Sequence, residues 1–163
     1  MGIDMLVKLY ELPELCCVPG KCEPGISVRK TIGPEKHLVI DWVRRNFGGA
    51  WASEVDVALC NRPSTCWIAV KKEPSPQIVG FVAYDATALG FLGPMGVASD
   101  YRKRHIGREL LLTALWEMKT IGYGYSVIGH VGAATPFYSK VVGAREIEGS
   151  DSSVWATWVG AAQ

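Results

Sequence analysis

Gly93-Pro94-Met95-Gly96-Val97-Ala98-Ser99-Asp100-Tyr101-Arg102-Lys103-Arg104-His105-Ile106-Gly107-Arg108-Glu109-Leu110-Leu111-Leu112 reads as a strand, a short basic loop and the opening turns of an amphipathic helix. Pro94 cannot donate to a β-ladder, so the strand is predicted to bulge or splay, leaving N–H groups near Met95 to Val97 for a ligand. Arg102, Lys103, Arg104, His105 and Arg108 gather at the helix start, where the macrodipole is positive. Backbone donors and cations converging on a helix N-terminus suit a diphosphate. Gly107 lets such a group approach the first turn with no Cβ in the way. No Gly-Lys-Ser/Thr follows, so this is not a Walker loop, and Gly-x-Gly-x-x-Gly is absent. A solvated basic loop capping a core helix is the plainer alternative on this stretch alone.

Working outward, the chain alternates between strand and helix signals. Met5 to Leu9 is predicted as an edge strand, Pro13 to Gly25 as a loop, and Ile26 to Ile32 as a half-buried strand. Leu38, Val39, Trp42, Val43 and Phe47 recur at helical spacing over Glu35 to Phe47, and Gly48-Gly49 separates that helix from a second over Ala50 to Cys60. Thr65 to Val70 and Ile78 to Asp85 form a hairpin, and Leu89 to Val97 is the next strand. A long helix over His105 to Ile121 places Gly107, Leu110, Leu111, Ala114, Met118 and Ile121 on one face. A strand over Tyr125 to Val131, a helix over Thr135 to Val142, and a hairpin of Ala144 to Glu148 with Val154 to Val159 complete the order. That order predicts one α/β domain over residues 1–163: a mixed, mostly antiparallel central sheet with helices on both faces.

Composition sets the partners that can be expected. The chain has 163 residues, 48% of them hydrophobic and 20% charged, enough for a sizeable core. A net charge of +1 gives no global steering toward nucleic acid or anionic lipid. The start lacks signal-peptide character and no apolar run reaches membrane-span length, so a cytoplasmic protein without membrane or nucleic-acid partners is expected. The five cysteines, Cys16, Cys17, Cys22, Cys60 and Cys66, lack paired metal-ligand spacing and are read as reduced thiols, with no metal expected.

The segment Val97-Ala98-Ser99-Asp100-Tyr101-Arg102-Lys103-Arg104-His105-Ile106-Gly107 resembles the acyl-CoA-binding motif of the GNAT superfamily of N-acetyltransferases. Ser99 stands where that motif has Pro, and His105 where it has the first Gly of a pair. Ala134-Thr135-Pro136-Phe137-Tyr138-Ser139-Lys140-Val141-Val142-Gly143-Ala144 is similar to the family's Phe-Tyr-x-Lys-x-Gly-Phe helix. The resemblance runs from about Ile26 to the C-terminus. It implies acetyl-CoA as co-substrate, its diphosphate held by Arg102, Lys103, Arg104, His105, Ile106, Gly107 and Arg108. Met95, Gly96 and Val97 would hold the pantetheine arm, with the Val97 N–H polarising the thioester carbonyl. Tyr138 matches the family's general acid toward the departing thiolate. The polar Asn often found before the last helix is replaced here by Val131-Gly132.

The acceptor amine must lose a proton before it attacks. Glu54 and Asp56 on the second helix, Asp85 at a strand end and His130 before the Tyr138 helix are the candidate bases, with Glu54 preferred. Trp51, Trp67, Trp155 and Trp158 are read most simply as core, while Trp51 and Tyr84 have a second reading as walls of an acceptor pocket. The function implied is transfer of an acetyl group to a primary amine of a small molecule or peptide by direct attack. An acyl-CoA-binding regulatory module without turnover is the rival, and a homodimer is left open.

Overall fold

The computed structural model describes residues 2–14 and 23–160, so Cys16, Cys17, Cys22 and most of the Pro13–Gly25 loop lie outside the described residues. Strands β1 (Ile3–Lys8), β2 (Ile26–Lys30), β3 (Cys66–Lys71), β4 (Gln77–Tyr84), β5 (Phe91–Val97), β6 (Tyr125–Val131) and β7 (Arg145–Glu146) form one sheet in the order β2-β3-β4-β5-β6-β1-β7. Five of its neighbouring pairs are antiparallel and only β5–β6 is parallel. A parallel pair needs a crossover, which α3 (Ile106–Thr120) supplies. Helices α1 (Lys36–Phe47) and α2 (Gly49–Cys60) cover one face, while α3 and α4 (Thr135–Val142) cover the other.

The strands read as near-continuous apolar runs because both faces are buried. On β3, Cys66, Ile68 and Val70 point toward Val39 and Val43 of α1 and toward Ala52 and Val55 of α2. Trp67 and Ala69 point the other way, into a core built around Leu110, Leu111 and Leu115 of α3. Gly48, at φ 99°, makes the corner between α1 and α2, a conformation that glycine adopts without a Cβ penalty.

Three expectations are corrected. Strand β1 is not an edge: it lies between β6 and β7, with Met5 and Val7 fully buried. Ile121 lies beyond the end of α3 and is exposed. The C-terminal hairpin does not form. The Asp4 carbonyl accepts the Ile147 N–H at 2.8 Å, and the Asp4 N–H donates to Ser150 Oγ at 2.9 Å, so the edge of β1 is saturated early. Beyond Gly149 (φ 73°) the chain winds into a short 3-10 turn, Ser150–Ser152, and then into turns, leaving Val154 and Val159 exposed.

Candidate active site

The ladder between β5 and β6 has two pairs, Phe91–Val127 and Leu92–Ile128, and then opens. Gly93 (φ 133°) and Pro94 form a bulge, because the β4–β5 register passes from Tyr84–Leu92 to Val82–Met95. The expected disturbance at Pro94 is therefore present. Ala98 N–H donates to the Val79 carbonyl at 2.9 Å, so antiparallel alternation makes Phe81–Gly96 a hydrogen-bonded pair. Met95 and Val97 consequently turn their N–H and C=O groups away from β4, toward the gap. Gly96 serves packing: an added Cβ would stand 2.6 Å from Cζ of Phe47, whose ring stacks on Trp51 at 5.2 Å.

Past Val97 the chain makes a 3-10 turn, Ser99–Tyr101, and enters α3 through His105. His105 is the N-cap residue with φ 62° and ψ 4°, and its side chain makes no capping hydrogen bond. The first-turn N–H groups of Ile106, Gly107 and Arg108 therefore point out of the helix without a side-chain cap. The Ile106 side chain itself is core, so only its backbone can serve a ligand. A Cβ on Gly107 would make ordinary contacts, 3.7 Å to Val97 and 3.8 Å to Phe137, so the fold itself does not demand glycine there. The cations divide. Arg102 Nε–H donates to the Val97 carbonyl at 3.2 Å, and Arg104 pairs with Glu23 at 3.3 Å and lies over the Tyr101 ring. Lys103 and Arg108 have no ion-pair partner among the described residues.

The open end of the gap leads into a cavity of ≈ 580 Å³. Tyr138 from α4, Glu54 from α2, His130 from β6 and Met95 from β5 all line it. Tyr138 is nearly buried, its hydroxyl has no protein partner among the described residues, and burial pushes its pKa up to about 12. Glu54 accepts a hydrogen bond from the Thr87 hydroxyl, and burial raises its carboxyl above the ordinary range despite that bond. His130 sits in a bulge of β6 opposite Asp4 at φ 52°, its N–H donating to Asp4 Oδ1 at 2.7 Å. The other two candidate bases are elsewhere. Asp56, two residues from Glu54, faces away and pairs with Lys36 at 2.8 Å. Asp85 accepts the Gly90 N–H at 2.7 Å and the Tyr123 hydroxyl at 2.9 Å, which holds a turn.

Four contributors escaped the sequence reading. Trp155 and Trp158 wall the cavity instead of filling a core, Trp158 being 45% exposed. Trp155 Nε1–H donates to Asp4 Oδ1 at 3.1 Å, the oxygen that also receives His130 N–H. Asp4 was the available signal: it is an acid in an apolar strand, and it is 3% exposed. Thr87, which holds Glu54, carries no motif. Trp51 does line the cavity, but Tyr84 is 1% exposed and belongs to the core. Among the described residues no group of three or more His, Cys, Asp or Glu side chains is placed to hold a metal ion, and no helix is long and apolar enough to cross a membrane.

Similar architectures are found among solved structures. A glucosamine N-acetyltransferase region within a fungal multi-domain β-N-acetylglucosaminidase superposes with a TM-score of 0.69 at 18% identity, over 90% of this chain and 20% of that one. A GCN5-related N-acetyltransferase from Sphaerobacter thermophilus gives 0.67 at 18% identity over 89% of this chain and 48% of that one. A Drosophila protein gives 0.65 at 12% identity over 89% and 47%. The chain thus spans half or less of each structure, and at these identities the likeness is one of fold. No curated protein matches the sequence. The family model for the acetyltransferase (GNAT) family matches residues 36–144, from the start of α1 through α4. That match takes in β5, the basic loop and the Tyr138 helix, and covers more than half of the sequence: the chain belongs to the GNAT acetyltransferase family.

Proposed function

We propose that this protein transfers the acetyl group of acetyl-CoA to a primary amine by direct attack in a ternary complex. Acetyl-CoA is the co-substrate that membership of the family brings. The observation that carries the rest is the convergence of Glu54, Tyr138 and Met95, from three separate elements, on one cavity at the open end of the β5–β6 gap.

In this reading the diphosphate lies at the start of α3, against the amides of Ile106, Gly107 and Arg108 and the Lys103 ammonium. The pantetheine arm runs along β5, pairing with the outward C=O of Met95 and N–H of Val97, the Val97 carbonyl being taken by Arg102. Of the two outward N–H groups, that of Met95 lies at the cavity and faces the thioester oxygen in place of the expected Val97, a contact of the kind worth about 3 kcal/mol in acyl transfer. An incoming ammonium gives one proton to the Glu54 carboxylate, with His130 as the alternative acceptor. The freed lone pair forms the C–N bond, and collapse of the tetrahedral intermediate breaks C–S. The thiolate takes the Tyr138 proton, and the second proton shed by nitrogen restores the phenol through solvent. Atoms balance: amide, free thiol and one proton leave. Burial supports both assignments, because it keeps Tyr138 protonated at neutral pH and makes Glu54 more basic than an ordinary carboxylate.

Thiol release from acetyl-CoA over a panel of amines tests the reaction. Tyr138→Phe should lower kcat by on the order of 100-fold while leaving the acetyl-CoA dissociation constant within twofold. Unchanged kcat removes Tyr138 from its role. Cofactor binding without thiol release from any amine favours the regulatory module.

A further inference from the structure

Three indoles line the cavity that the amine would enter. Trp51 faces it from α2, and Trp155 and Trp158 face it from the segment after residue 150, their rings 6.3 Å apart and nearly perpendicular at 84°. Both C-terminal indoles are seated. Trp155 is held by its hydrogen bond to the buried Asp4 carboxylate, and its ring lies against Gly129, where a Cβ would come within 2.8 Å. Trp158 is backed by Gly160, where a Cβ would come within 2.5 Å of the ring. Asp4, Trp155 and Trp158 all lie outside the 36–144 family match, so this wall belongs to the chain and not to the family pattern.

The charges facing the cavity are equally restrictive. Among the described residues that line it, Glu54 is the one acid, and there is no Lys or Arg. Side-chain hydroxyls other than Tyr138 are limited to Ser53 and Thr87, and Thr87 already donates to Glu54. A carboxylate or phosphate on the acceptor would find His130 as its one cationisable partner and would face Glu54. A polyamine would bring charges with no second acid to pair them. A sugar could lay its C–H face on an indole, but its hydroxyls would find few side-chain partners, Ser53 and His130 beside Tyr138.

Resting on the proposed acetyl transfer, we infer that the acceptor is a monoamine carrying a flat aromatic body, of the arylalkylamine class. The ammonium is drawn to Glu54 and the ring lies among Trp51, Trp155 and Trp158, where offset or edge-to-face packing is available. Cation–π attraction to the same indoles adds to the pull on the ammonium.

The test uses the full chain with acetyl-CoA and compares 2-phenylethylamine, glucosamine, spermidine and glycine. Thiol release should give a kcat/KM for 2-phenylethylamine at least tenfold above each of the others. Trp158→Ala, at a partly exposed position, should raise its KM about tenfold with kcat held within twofold. Trp155→Phe, which keeps a ring but loses the bond to Asp4, should raise KM by two- to fivefold. Equal or better turnover of glucosamine, spermidine or glycine overturns the inference and leaves acetyl transfer standing. If no amine is turned over, calorimetric titration of 2-phenylethylamine decides. Saturable binding weakened tenfold by Trp158→Ala upholds the aromatic site while the transferase reading falls, and no binding overturns both.

Discussion

Glu54 shows how one position acquires its chemistry from its neighbours. Trp51 lies one turn before it on α2, the Thr87 hydroxyl fixes one oxygen, and burial raises the pKa. In the proposed reaction the active form is the carboxylate, so activity should rise as pH climbs through that raised value, with the acid limb above the ordinary glutamate pKa of about 4.3. Glu54→Gln should cost on the order of 100-fold in kcat/KM and erase that limb, leaving a flat profile on the acid side. Stability responds with the opposite sign. A carboxyl whose folded pKa exceeds its unfolded value stabilises fully below the unfolded pKa and loses that contribution as pH rises through the folded one. Glu54→Gln should therefore melt higher than the parent at pH 7, with the gap closing below about pH 4. Parallel melting curves at the two pH values check this. A persistent acid limb in the variant would shift the base to His130.

At the scale of elements, the loop into α3 accounts for the one departure from the family motif that matters most. His105 occupies the left-handed region at φ 62°, where a residue with a Cβ is strained by roughly 1–2 kcal/mol, and glycine is not. The family's glycine at that place is thus a backbone requirement which this chain meets with histidine. His105→Gly should be neutral or up to about 1 kcal/mol stabilising in denaturant unfolding, because relief of the strain offsets the flexibility added to the unfolded chain. A loss above 1 kcal/mol would mean that the imidazole makes a contact of its own. Gly96 behaves in the opposite way. Phe47 sits over it, hemmed in by Trp51 and Phe81, so Gly96→Ala should cost roughly 1–3 kcal/mol by overpacking. These contrasts mark what the sequence could disclose. Periodicity located β5, α3, β6 and α4 closely, because alternation and helical spacing are local signals, whereas Tyr138 was singled out by the family resemblance and Glu54, on α2, as one of several acids. The C-terminal hairpin does not form because Val154 to Val159, although rich in the Val and Trp that favour strands, has no strand edge left to pair with. What decides that segment is a bond to Asp4, 151 residues away, which no local pattern encodes.

Across the whole molecule, the sheet is two half-sheets joined at a narrow seam. Strands β2, β3, β4 and β5 form one half and β6, β1 and β7 the other, with Phe91–Val127 and Leu92–Ile128 as the pairs between them. Helix α3 runs from one half to the other and its apolar side fills the core beneath both. An opened seam is unfavourable for an isolated sheet, since it leaves backbone donors on β5 without a ladder partner. It becomes favourable when a ligand with amides of its own lies along it, as the pantetheine arm of acetyl-CoA would. Acetyl-CoA at 100 times its dissociation constant should then stabilise the fold by about 2.7 kcal/mol, raising Tm by about 5–10 °C for a chain of this size. The gain should be local as well as global. In amide hydrogen exchange, Met95 and Val97, whose N–H groups face the gap, should be the β5 amides most slowed by acetyl-CoA. Gly96, bonded to Phe81, should exchange slowly with or without it. A full Tm shift with Met95 and Val97 unprotected would place the ligand elsewhere on the chain, and the alternation of these three neighbouring amides is what makes that outcome readable.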